Sequence, residues 1–204
     1  MSGDSAQSAN IAPHENGSEI RLALPDGQLV GINGGEFGGR IEWIGQDGVR
    51  RVVVPDKNPV AFTTRGNDIF VATGLFHMGI DSGEIIKLRR TGSGTWQVST
   101  VMNLDEAPDA GARIDDATWM LLTTHGLTQV DLIELTKEPI YRNENWKLLW
   151  ANSVRPLGDS WLVGARRAVI EITPRGGTFE EKWLIPASCR RLKTFESPDC
   201  ECRP

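Results

Sequence analysis

The feature that most narrows what this chain can fold into is an internal repeat. Four stretches share one pattern, an apolar run, a glycine-bearing turn and a second apolar run. They are QLVGINGG from Gln28 leading to GRIEWIG from Gly39, DIFVATG from Asp68 to GEIIKLRR from Gly83, TWMLLTTHG from Thr118 to LTQVDLIE from Leu127, and SWLVGARR from Ser160 to AVIEITP from Ala168. The second halves begin 44, 44 and 41 residues apart. Each run is short and rich in Val, Ile, Leu, Thr and Trp, and the interruptions PDG, QDG, RGND, GSG, LGDS and PRGG are turn chemistry between strands. Upstream of each hairpin stands one more strand candidate, IRLAL, VAFTT, ARIDD or SVRPL, and downstream another, RRVVV, WQVSTVM, EPIYR or EEKWLI. Four strands per repeat make a sheet with two apolar faces, and such sheets are stable only when neighbours stack face to face.

A repeat of about 40 to 50 residues with four strands is that of a propeller blade. The array resembles a β-propeller, in the broad style of the WD, kelch and related repeat families, over residues 19–186. No blade closes on a clear WD dipeptide, and the kelch double glycine with its aromatics does not recur. The expected fold is all-β, a small β-propeller of about four four-stranded blades. CRRLKTF at 189–195 reads as a further inner strand that opens a fifth, partial blade or completes the first. An incomplete ring whose ends pair in a homodimer is the other closure, and a β-sandwich of coincidental spacing is the competing fold. Residues 1–18 read as a flexible tail, 19–195 as the propeller and 196–204 as a cysteine-bearing tail. The one helical candidate, NENWKLLWA at 143–151, is long enough for one or two turns.

Composition removes several functions. With 22 Lys plus Arg against 27 Asp plus Glu, the net charge of −5 opposes non-specific nucleic-acid binding. No apolar run approaches the length that crosses a bilayer, and the first residues carry neither a basic cap nor an apolar stretch, so a soluble, cytoplasmic protein with no membrane partner is expected. The three cysteines, Cys189, Cys200 and Cys202, all fall near the end, which leaves the core without a disulfide framework.

The resemblance implies a disc with a central channel, used for binding more often than for catalysis. In such a fold, the loops joining second to third strands share a face with those leading to the next blade. Here those loops carry nearly all the variation: NGGEFGG, residues 74–83, residues 103–111 and residues 141–152. Irregular loops on a rigid scaffold are where binding concentrates. The leading expectation is therefore a non-enzymatic protein-binding or scaffold propeller with no cofactor, engaging a protein partner, or a small-molecule ligand, through Phe37, Phe76, His77, Met78, Tyr141, Trp146, Arg166 and Arg167. The alternative is a metal-dependent hydrolase or lactonase-like enzyme. In it Glu36, His77, Asp81 and His125 would hold a divalent ion at the channel mouth, and Arg166 would stabilise developing negative charge. His125, before a glycine in TTHG, also reads as a turn-satisfying imidazole, and Asp115 and Asp116 as turn-shaping residues. Trp43, Trp96, Trp119, Trp161 and Trp183 read as blade packing.

Overall fold

The computed structural model describes residues 13–14, 17–92 and 94–185; the segment 189–195 and the three cysteines lie outside them. The chain divides into two compact units, residues 1–103 and 104–204. Unit 1 holds two sheets. The first is β1 (Pro13–His14), β2 (Gly17–Leu24), β3 (Gly27–Asn33), β4 (Arg40–Gly45) and β5 (Arg50–Pro55), and the second is β6 (Pro59–Arg65), β7 (Asp68–His77), β8 (Ile80–Arg90) and β9 (Trp96–Leu104). Unit 2 holds β10 (Pro108–Arg113), β11 (Thr118–Thr123), β12 (Gly126–Asp131) and β13 (Thr136–Arg142), then β14 (Ser153–Leu157), β15 (Ser160–Ala165), β16 (Ala168–Arg175) and β17 (Thr178–Leu184).

In every sheet, strand order equals chain order and each determined pairing is antiparallel. Four such meanders make the fold all-β and identify each sheet as the blade of a β-propeller. The first carries β1 as an additional strand, paired to β2 at the edge of the sheet. Strands thus begin inside the stretch expected to be a tail. Ladder hydrogen bonds are made by the backbone, and a polar side-chain sequence does not prevent them.

Burial follows position in the blade. The second strand of the third sheet, TWMLLT, is buried at nearly every residue because it is covered on both faces, whereas β6, PVAFTTR, alternates between buried and half-buried. In unit 1 the core joins Leu29, Ile41, Trp43 and Val54 to Ile69, Val71, Ile86 and Leu88. In unit 2 it joins Met120, Leu122 and Leu127 to Val154, Val163, Ile170 and Ile172. Trp43, Trp96, Trp161 and Trp183 contribute to these packed regions, the first buried and the others partly so, and Trp119 is fully buried as well.

Three segments depart from the sequence reading. The stretch ARIDD is not one strand: β10 ends at Arg113, and Asp115 Oδ1 accepts the backbone N–H groups of Ala117 and Thr118, both at 2.7 Å, which folds the chain into a turn. The expected loop at 103–111 shrinks to residues 105–107, since β9 and β10 absorb its ends. The helical candidate at 143–151 is only a 3₁₀ turn over Trp146–Leu148.

Candidate functional site

The largest difference from the expected loops is at residues 74–83. The loop is a hairpin: β7 and β8 stay paired through Gly74↔Gly83, Leu75↔Ser82, Phe76↔Asp81 and His77↔Ile80, and turn over Met78 and Gly79. The pairing of β6 with β7 stops at Pro59↔Thr73, so this ribbon projects past the reach of β6. Met78 and Gly79 have φ of 47° and 89°, the doubly left-handed turn that favours Asn-Gly or Gly-Gly. Met78 is 90% exposed, and Phe76 and Ile80 are about half exposed.

Phe37, 91% exposed, lies in a 3₁₀ turn over Gly35–Phe37. Asn58 pins that turn, its Nδ2 donating to the Gly35 carbonyl at 2.9 Å and its Oδ1 accepting Gly34 N–H at 3.2 Å. The turn meets the ribbon where His77 Nε2 lies 2.5 Å from Glu36 Oε2. That approach suits an ion pair when the imidazole is protonated, and it lacks the alignment of a hydrogen bond. Near the ribbon base, Lys57 pairs with Glu84, which also accepts the Thr100 hydroxyl at 2.7 Å. Burial works to raise the Glu84 carboxyl, but these two donors and the lysine charge prevail and hold it below its ordinary value.

Glu36 and His77 are therefore brought together, while Asp81 stands opposite Phe76 in the ribbon. Among the described residues, no group of three or more His, Cys, Asp or Glu could hold a metal ion. The set expected for a divalent ion thus reduces, within unit 1, to one histidine–carboxylate contact.

At the opposite end of unit 1, Trp43 and Trp96 have ring centroids 5.4 Å apart with planes tilted by 57°. The Arg90 guanidinium lies over both, 4.6 Å from the Trp43 centroid and 5.8 Å from that of Trp96, and pairs with Asp26.

In unit 2, His125 lies between two carboxylates, with Nδ1 3.5 Å from Glu106 and Nε2 3.5 Å from Glu144. Glu106 is buried, accepts the Thr123 hydroxyl at 2.7 Å and pairs with Arg142, which also bonds Glu144 at 3.2 Å. His125 thus belongs to a charge network rather than only to its turn carbonyl.

Of the expected binding residues Tyr141 and Trp146, the first is partly exposed and the second is buried, and both donate to one carboxylate. Trp146 is 1% exposed, and its Nε1 donates to Glu181 Oε1 at 3.1 Å. The Tyr141 hydroxyl and Asn143 Nδ2 donate to the same oxygen, and Trp183 Nε1 donates to Oε2 at 2.8 Å. A partner cannot reach the Trp146 ring without unfolding its loop. The sequence reading missed Glu181, an ordinary-looking residue in the alternating strand TFEEKWL, three of whose four donors come from 35 to 40 residues earlier. What this loop does expose is Leu148 and Trp150, with Arg166 N–H bonded to the Leu149 carbonyl at 3.3 Å and Arg167 next in the turn.

No family model and no curated protein matches the chain. It is similar in structure to the N-terminal domain of Nup159, with 14% identity and a TM-score of 0.46, covering 80% of this chain and 43% of that one. It is similar to the same degree, at 14% identity and a TM-score of 0.46, to a chain in the S. cerevisiae assembly of a Dbp5 variant bound to Nup159, a Gle1 variant, IP6 and ADP. That match covers 90% of this chain and 46% of the other. The chain therefore spans less than half the length of these two structures.

Proposed function

We propose that this chain is a non-enzymatic protein-binding module and that the ribbon of residues 74–83 is its contact element. The observation that carries this reading is Met78: a large apolar side chain, almost wholly exposed, at a turn position whose left-handed backbone favours glycine or asparagine. Folding alone would favour the smaller residue, whereas a partner with a concave apolar site gains from the larger. Phe76 and Ile80 add apolar area on the two opposite faces of the ribbon behind it, and the Asn58 bonds and the Glu36–His77 contact hold the ribbon and the turn of Phe37 in place. An apolar anchor on a preorganised support is the usual core of a protein contact.

The test compares proteins retained from native extract by the wild-type chain, Met78→Gly, Phe76→Ala and, at the other end of the unit, Arg51→Ala. A protein held by the wild type and Arg51→Ala but lost by both ribbon variants, with and without chelator, supports the reading. Equal retention by all four baits, or loss only on chelation, overturns it.

A further inference from the structure

Unit 2 carries two more exposed apolar residues with left-handed backbone, Leu135 in the turn between β12 and β13 and, twice as exposed, Trp150. Trp150 has φ of 53° and follows Leu149, the cap of the 3₁₀ turn Trp146–Leu148. That is the position after a helical turn where glycine is the usual residue, because a Cβ there is strained. Yet the residue is tryptophan, 71% exposed, and Leu148 beside it is equally exposed. Their support is rigid: Trp146 is in the core and tied to Glu181, and Leu149 accepts the Arg166 backbone N–H. Strain held in an exposed side chain by a fixed frame marks a contact site rather than a packing need.

The charges flanking this pair are positive. Lys147 precedes Leu148, and the Leu149–Arg166 bond brings Arg166 and Arg167 alongside. The nearest acid in the loop, Glu144, is engaged by Arg142 and His125. We infer that Leu148 and Trp150, with Lys147 and Arg167, form a docking surface for an acidic peptide segment carrying an apolar anchor. The apolar pair takes the anchor and the cations take the flanking carboxylates, Arg by its planar fork. A peptide is favoured over an anionic bilayer because two cations fall short of the roughly four to eight that typically mark lipid-binding clusters. This inference stands apart from the ribbon, which lies in the other unit.

The probe is a short fluorescein-labelled peptide of Asp and Glu interspersed with Leu and Phe, alongside its Asn and Gln counterpart and vesicles of phosphatidylserine and phosphatidylcholine. The wild type is expected to bind the acidic peptide at least about tenfold more tightly than the neutral one. Trp150→Gly should lower that affinity about tenfold while keeping or raising Tm, because glycine suits the backbone. Leu148→Ser and Arg167→Glu should weaken binding in the same way, and Met78→Gly should leave it unchanged. Failure of the wild type to bind the peptide, equal affinity for the neutral peptide, unchanged affinity in Trp150→Gly, or binding to the vesicles alone would overturn the inference.

Discussion

Tyr141 donates its hydroxyl to Glu181, a carboxylate 40 residues further along the chain. That carboxylate also accepts Asn143, Trp146 and Trp183, so one side chain of β17 fastens both the end of β13 and the loop that follows it. Glu181→Ala leaves the buried Trp146 N–H without a partner and removes bonds to a charged acceptor, at a cost of about 3 kcal/mol. Glu181→Gln keeps an acceptor oxygen and should cost about 1 kcal/mol. Urea denaturation of the two variants checks both the loss and its order, and equal stability of Glu181→Ala and the wild type would refute the structural role.

The same pair predicts a titration. Burial, and then the neighbouring Glu181 carboxylate, push the Tyr141 phenol up to about 12. Tyr141 is the only tyrosine, so phenolate absorbance reports it alone. The wild type should titrate near 12, and Glu181→Gln should move the midpoint down toward the ordinary 10.0. Because the folded phenol is raised, its contribution to stability is complete below the unfolded value and disappears as pH rises toward about 12. Glu181 behaves oppositely. Burial works to raise its carboxyl, but the four donors together hold it below its ordinary value. Its contribution is present above the unfolded carboxyl value and is lost as pH falls through the folded one.

At the ribbon tip, stability and binding should part. Met78→Asn places a residue tolerant of the left-handed region at φ of 47° and should stabilise the fold by about 1 kcal/mol. Thermal melts read the gain, and the extract comparison reads the accompanying loss of the partner. A variant that binds as the wild type does would leave Met78 without a contact role.

The hairpins were legible because alternating apolar residues and glycine-bearing turns are local signals. The ribbon was not, since Gly74↔Gly83 is a cross-strand pair without side chains and the FHMG segment carries no alternation. The exposure of Phe76 and Met78 depends on where β6 stops, which lies in another strand's register. Trp146 reads either as packed or as offered to a partner, because the Glu181 that decides between them is 35 residues away, beyond any local pattern. ARIDD shows both outcomes at once: its strand stops earlier than read, at Arg113, while Asp115, read as turn-shaping, does shape the turn by accepting two nearby backbone N–H groups.

Arg90 gives the last prediction. Its guanidinium covers the tilted Trp43–Trp96 pair and is itself held by Asp26, 64 residues earlier, so it closes one end of unit 1 by stacking as much as by charge. Arg90→Ala removes both the cation over the rings and the aliphatic stem beneath it, and should cost about 1 kcal/mol. It should also shift tryptophan emission to the red, since the exposed side of Trp96 would meet water. Arg90→Lys retains charge near Asp26 but lacks the planar group that stacks on two rings, and it should recover only part of the loss. Asp26→Asn separates the contributions: if stacking dominates, it should lower stability by less than Arg90→Ala and leave the emission nearly unshifted. An emission shift in Asp26→Asn as large as that in Arg90→Ala would instead make the ion pair the element that positions Arg90.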